Sequence, residues 1–239
     1  MLFFYIRHGD PIYNPDSLTP LGSRQAEAVA KRLALYGVDK VYASTSNRAY
    51  LTSKPTCELL KLEPEQVDFA NEGHVWKDLT IEKEDGSGIT WLFQHSGVRK
   101  LFHTPELRQL GEEWYTHPAF GKYDYQKGIQ KVRDASDAFF AELGFEHIRH
   151  TGQYRITEPK YQRVAMFAHQ GFGLTFLSCL LDIPFPMFST HFDICHSGMT
   201  VVEFPEDEEY SIPRILTFSS DSHIYREGLP TNYNNILRF

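Results

Sequence analysis

Several things this sequence has little of narrow its class. Cysteine is scarce: the 239 residues contain only Cys57, Cys179 and Cys195, odd in number and without CxxC spacing. That excludes a disulfide-stapled scaffold and suits three reduced thiols in a cytoplasmic protein. Positive charge is also short. Lys and Arg total 24 against 31 Asp and Glu, a net charge of −7. An acidic chain of this kind is poorly matched to nucleic acid or to an anionic membrane, although it can hold a local cationic pocket for a small anion. No apolar run approaches the roughly 18 residues that a bilayer span requires. The apolar start, Met1 to Ile6, lacks the basic flank and small-residue cleavage site of a signal peptide. Internal repeats, low-complexity tracts and long linkers are absent. What remains is ordinary globular composition, 41% hydrophobic and 23% charged, at a length that favours one domain.

The hydrophobic pattern reads as an α/β fold. Leu2 to Ile6 is a short continuous apolar run ended by polar residues, the mark of a buried strand. Thr19 is a good N-cap and Pro20 suits the first helical position. Ala26, Val29, Ala30 and Leu33 then form one helical stripe that Gly37 ends. Val38 to Ala43 reads as a second strand. Asn47 to Leu60 reads as a second helix that Pro55 should start, kink or interrupt. Parallel strands with helical crossovers follow from this order. The less regular middle holds an expected helix near Pro105 to Tyr115 and a longer one from Asp124 to Leu143. A strand from Arg163 to Ala168, a helix from Gly171 to Leu181, and closing strands at Gly198 to Phe204 and Arg214 to Phe218 complete the reading. The expectation is a three-layer αβα domain with a mostly parallel central sheet over residues 1–239 and a mostly helical cap inserted at about 73–162.

Ligands of open α/β sheets bind beyond the carboxyl ends of the strands. Three such ends carry Arg7-His8-Gly9-Asp10, Ser44 to Ala49 with Arg48, and His169-Gln170-Gly171. Two arginines and two histidines thus reach the same rim. Guanidinium presents a fixed fork of donors that matches phosphate oxygens. A neutral imidazole can attack phosphorus, and neighbouring arginines disfavour its protonation. The helix N-terminus after His169 adds free N–H groups for an anion.

These residues resemble the histidine phosphatase superfamily, the phosphoglycerate mutase-like proteins. Arg7-His8-Gly9 is similar to its signature tripeptide. Asn14, six residues after His8, is similar to its phosphate-contacting Asn. Leu18 to Ala26 resembles its "LTxxGxxQA" helix start, Ser44 to Ala49 its "SPLxRA", and Phe167 to Gly171 its second-histidine strand end. The matches keep family order along nearly the whole chain. The resemblance implies that His8 becomes phosphohistidine, that Arg7, Arg48 and His169 hold the phosphoryl oxygens, and that Asn14 and Gln170 lie against the phosphate. It implies neither metal nor cofactor. The family's acid is a carboxyl roughly 25 positions after the second arginine; Asn71-Glu72-Gly73-His74 resembles the mutases' "NERH", which selects Glu72, with Asp78 and Glu82 in reserve.

The chain departs from the family at several points. Thr45-Ser46 replaces Pro-Leu, Asp10 a common Glu, and Gln170 the first Gly after the histidine. The stretch from Asn14 to Leu18 is short for a glycolytic mutase, which weakens the mutase reading but not the phosphatase chemistry. The reading is therefore a phosphomonoesterase acting on a small phosphorylated substrate. A phosphoglycerate mutase with the same nucleophile, or an idle phosphoanion-binding module, is the alternative. Sugar phosphates, nucleotides, a cobalamin precursor phosphate and phosphoproteins all fit as substrates; a homodimer through a sheet edge or the cap is compatible. Trp76, Trp91, Phe93 and Trp114 are candidates to line the mouth, which would favour an aryl leaving group. His191, Cys195 and His196 match no structural zinc spacing. His147 and His150 read as turn residues. Ser222-His223 resembles a recurrent segment of related phosphatases and receives no role.

Overall fold

A computed structural model describes residues 1–206 and 209–231. Strand β1 (Leu2–Arg7) is followed by a small hairpin, β2 (Pro11–Tyr13) and β3 (Asp16–Leu18), and by helix α1 (Pro20–Tyr36). Strand β4 (Lys40–Ser44), helix α2 (Asn47–Leu60) and strand β5 (Glu65–Val67) come next. Helix α3 (Glu72–Asp78), the hairpin β6 (Thr80–Glu82) and β7 (Ile89–Trp91), and the short helices α4 (Ser96–Phe102) and α5 (Pro105–Leu110) precede the long α6 (Tyr125–Glu142). The hairpin β8 (Phe145–Ile148) and β9 (Gln153–Ile156) leads to β10 (Arg163–Ala168), α7 (Gln170–Leu180) and α8 (Phe185–His191). Strands β11 (Met199–Glu203), β12 (Tyr210–Ser211) and β13 (Arg214–Ser220), with helix α9 (Ser222–Arg226), complete the described chain.

The central sheet has the order β13-β11-β1-β10-β4-β5. β1, β10, β4 and β5 pair in parallel, whereas β11 runs antiparallel to both β1 and β13. Strand alternation sorts the core into two faces. Phe4 and Ile6 join Val29 and Leu33 of α1 and Cys57 of α2 on one side. Phe3 and Tyr5 meet Phe139 and Phe140 of α6 and Phe172 and Phe176 of α7 on the other. The expected three-layer sandwich with a mostly parallel sheet is therefore the observed architecture. Among the described residues no helix is long and apolar enough to cross a membrane.

Four expectations need correction. The segment expected as a cap, about 73–162, divides: α6 is a layer of the sandwich, because Phe139 and Phe140 pack on Phe3 of β1. The helix expected near Pro105 to Tyr115 ends at Leu110 and continues as a 3-10 turn, Gly111–Thr116. Helix α2 runs unbroken through Pro55, since burial of Ala49, Thr52, Ser53, Thr56 and Cys57 holds it despite the missing N–H. His147 lies in β8 rather than in a turn. Its buried ring stacks on Tyr154 and sits 2.7 Å from Asp137 and 3.1 Å from Asp182. Burial by itself lowers the His147 pKa, but the two carboxylates outweigh it and raise it to about 9.

That shift predicts a stability profile. A folded-state pKa above the unfolded value stabilises fully below about pH 6.5 and is lost as pH rises through about 9. Arg133 and Arg149 pair with the same carboxylates. The unfolding free energy of the wild type, read from urea titrations, should fall between pH 7 and 9.5 by on the order of 2–3 kcal/mol more than that of His147→Gln. Parallel profiles for the two proteins would refute the pairing.

Candidate active site

The carboxyl ends of β1, β4 and β10 meet the N-termini of α2 and α7, as parallel pairing requires. His8 follows β1 directly, its amide donating to the Ala168 carbonyl of β10 (2.9 Å) while its carbonyl accepts from the Ser197 amide (3.0 Å). Gly9 is glycine for lack of room: a Cβ there would lie 2.6 Å from the Gly22 carbonyl oxygen, and one at Gly22 2.2 Å from that of Asp10. The two glycines let α1 press against the turn that aims His8. Gly22→Ala should cost about 1–3 kcal/mol of stability, read from the urea midpoint, because backbone occupies that space; an unshifted midpoint would contradict this packing.

The His8 imidazole is buried. Its Nδ1 is 2.7 Å from the Gly9 carbonyl, which can only accept, so Nδ1 carries the proton and Nε2 keeps its lone pair. Burial, then His169 and Arg7, hold its pKa well below the usual value. This imidazole is therefore neutral at physiological pH. The His169 ring lies 5.2 Å from it and the His196 ring 5.7 Å, centroid to centroid.

His169 caps the start of α7, and Tyr5 holds its backbone: the phenol donates to the His169 carbonyl at 2.6 Å. Arg48 donates to His169 Nδ1 (3.1 Å), so Nε2 bears the proton and donates to Ser44 Oγ (2.9 Å). Burial, then Arg48 and Arg7, keep this imidazole neutral too. Arg48 sits in the first turn of α2 against Asp16 (3.0 Å) and Glu72 (3.6 Å), with the Tyr13 ring 5.4 Å from its guanidinium. Arg7 donates to the Ile194 carbonyl (2.6 Å) and to His196 Nε2 (2.8 Å). The Nε atoms of Arg7 and Arg48 are both buried without a partner. Two unspent charged donors in one pocket are what an anion would satisfy.

Glu72 opens α3, capped by Asn71. One carboxyl oxygen accepts from the Gly171 amide (2.8 Å) and the other faces His169 Nδ1 at 3.8 Å. Burial raises its pKa; the Gly171 N–H, Arg7 and Arg48 offset part of that rise. The structure does not bring the reserves here. Asp78 pairs with Lys131 (3.6 Å), and Glu82 is exposed in β6.

A chain with this sheet order and this rim also matches a family by sequence. The model of the histidine phosphatase superfamily (branch 1) matches residues 3–117. Over that stretch the chain is similar to the histidine phosphatase superfamily. A search of the curated proteins found no match. Among solved structures, the mycobacterial glucosyl-3-phosphoglycerate phosphatase in complex with inorganic phosphate is 18% identical, with a TM-score of 0.59 over 93% of this chain and 98% of that one. The phosphoserine phosphatase of Entamoeba histolytica in complex with 3-phosphoglyceric acid is also 18% identical, with a TM-score of 0.57 over 93% and 98%. At these identities the likeness is one of fold.

At the rim, Arg7, His8, Arg48, Glu72 and His169 converge. Asn14 does not: it stands exposed in the β2–β3 hairpin, where Asp16 and Tyr13 reach Arg48 instead. Gln170 turns its amide to the Asp193 carboxylate and lines a cleft of about 640 Å³ beside the rim, together with Phe93, Arg99, Leu174 and Phe192. Trp91 and Trp76 form a wall behind Gly171, where a Cβ would lie 2.3 Å from the Trp91 ring. Trp114 is corrected from mouth to core: it is buried among Phe102, Phe120, Tyr125 and Phe185.

Sequence reasoning missed four contributors. His196 was weighed only as a metal ligand, yet its ring faces His8 and Arg7. The readable signal was its place just before β11, whose antiparallel start lies at the carboxyl end of β1. Asp16 and Tyr13 carry no such signal. His223, in the segment left without a role, is buried and bonded through Nε2 to Ser197 Oγ (3.0 Å), behind the His8 carbonyl.

Proposed function

We propose that this protein is a histidine phosphatase and hydrolyses a small phosphomonoester through a phosphohistidine on His8. The observation that carries the reading is the neutral, buried His8 with its Nε2 lone pair unspent, ringed by Arg7, Arg48 and His169. Nε2 attacks phosphorus as the bond to the leaving oxygen breaks. The Glu72 carboxyl gives that oxygen its proton. The Glu72 carboxylate then takes a proton from water, whose oxygen attacks phosphorus. The P–N bond breaks, His8 is restored and inorganic phosphate leaves. Arg7 and Arg48 meet the charge on the equatorial oxygens.

Gln170 stands between the phosphoryl pocket and the cleft, so the leaving group enters a space lined by Phe93, Phe192 and Leu174 and by Arg99 and Asp193. That volume suits a small molecule. The glucosyl-3-phosphoglycerate and phosphoserine phosphatases share this fold and support small phosphomonoesters as the substrate class.

The test is acid quenching during turnover of an aryl phosphate. An acid-labile phosphate should be found on the peptide that contains His8, with inorganic phosphate as product. Exchange between 2- and 3-phosphoglycerate without net phosphate release would replace the reading with a mutase. Phosphate binding with no phosphoenzyme and no turnover would replace it with an idle binding module.

A further inference from the structure

The two site arginines are held in different ways. Arg48 lies 3.0 Å from the Asp16 carboxylate, so much of its charge is answered within the protein. Both groups that accept the hydrogen bonds of Arg7 are neutral: the Ile194 carbonyl and the His196 imidazole. Arginine only donates, so His196 Nε2 is the acceptor and its proton sits on Nδ1. Nδ1 faces Asp10 Oδ1 at 3.5 Å, ion-pair range but long for a hydrogen bond. Asp10 is fixed in turn by Thr19 Oγ1 (2.7 Å) at the start of α1. The Arg7 donor thus sets the imidazole tautomer, His196 anchors the guanidinium, and Asp10 faces the protonated Nδ1.

We infer that His196 is a positioning residue which holds Arg7 through a neutral acceptor and so adds no negative charge in contact with the guanidinium that meets the substrate phosphate. The inference rests on the phosphoryl site proposed above. A carboxylate in the same place would anchor Arg7 equally well by geometry and neutralise it. Burial, then Arg7, keep the His196 pKa down at about 3, so the acceptor survives across the working range. The choice of acceptor also reaches the nucleophile, because the His196 ring is 5.7 Å from His8. The charged and titratable groups that act on His8 are Arg7 on β1, Arg48 on α2, His169 before α7 and, through those arginines, Glu72 on α3. The carboxylates of Glu72 and Asp193 also act on Arg7 through space. A new negative charge at 196 would raise the His8 pKa.

The experiment compares His196→Asn, His196→Ala and His196→Glu with the wild type. Inorganic phosphate affinity is read by calorimetry, and kcat/KM for an aryl phosphate is followed against pH. His196→Asn, which keeps a neutral acceptor, should hold phosphate within about threefold of wild type, whereas His196→Ala should lose about tenfold. His196→Glu should lose tenfold or more and move the acid limb of the profile upward by about one unit. Wild-type affinity and an unmoved limb in His196→Glu would overturn the inference. So would equal losses in Asn and Ala, which decide the matter if the Glu variant fails to fold. Phosphate binding needs no turnover, so a failure of the phosphatase reading shows separately as bound phosphate without hydrolysis.

Discussion

His8→Ala should reduce aryl phosphate turnover by about 10⁴ to 10⁶-fold, the loss seen when a covalent nucleophile is removed. The size follows from geometry. Nδ1 is committed to the Gly9 carbonyl, so the lone pair on Nε2 is the only one the ring offers, and alanine supplies none. The pocket itself should survive, because the backbone bonds of His8 to Ala168 and Ser197 remain. The variant should therefore still bind inorganic phosphate while failing to form a phosphoenzyme. In the wild type, kcat/KM should fall on the acid side as His8 gains a proton, with its midpoint below pH 6.5, because burial, His169 and Arg7 lower that pKa. For an alkyl phosphate it should also fall on the basic side as Glu72 loses its proton, with a midpoint above 4.5, because burial raises that one. A residual rate in His8→Ala near the wild-type value would assign the chemistry to another group.

Glu72→Gln should separate substrates by leaving group. An alkyl phosphate needs its departing oxygen protonated, and general acid catalysis is worth about 10² to 10⁴-fold. The amide cannot supply that proton, so alkyl phosphate turnover should fall within that range. A nitrophenyl phosphate leaves as a stable anion and should lose far less. Gln keeps an oxygen for the Gly171 amide, so the start of α7 should stay in place and phosphate affinity should change little. Asp78→Asn and Glu82→Gln should leave the alkyl-to-aryl ratio unchanged, since neither side chain lies in the ring. Equal losses on both substrate types in Glu72→Gln would give Glu72 a purely structural role.

The parts that were legible share a local cause. Thr19 and Pro20 mark a helix start by their own backbone preferences, and Gly37 a stop, with φ of 70° in the folded chain. Apolar runs of five residues announced β1 and β10 because strands buried on both faces tolerate little else. Once parallel strands were expected, the residues after them had to share one rim. Arg7, His8, Arg48 and His169 were therefore placed together without coordinates.

The parts that were not legible depend on contacts between distant segments. Asp16 reaches Arg48 only because the β2–β3 hairpin folds against α2, and no local pattern states that approach. Trp114 looked like any aromatic of an irregular segment; only packing decides that it fills the cap core instead of the mouth. His147 took its charge from Asp137 and Asp182, which lie 10 and 35 residues away. His196 turned from a loose metal candidate into the anchor of Arg7 because β11 runs antiparallel to β1.

By itself the sequence determined the layer architecture and the rim, because backbone preference and hydrophobic period act over a few residues at a time. Only the tertiary structure decided which imidazole nitrogen is free, which arginine is neutralised and which carboxyl is buried at the rim. Those depend on hydrogen bonds and charges made across the fold, where distances of an ångström set protonation and no single segment holds both partners.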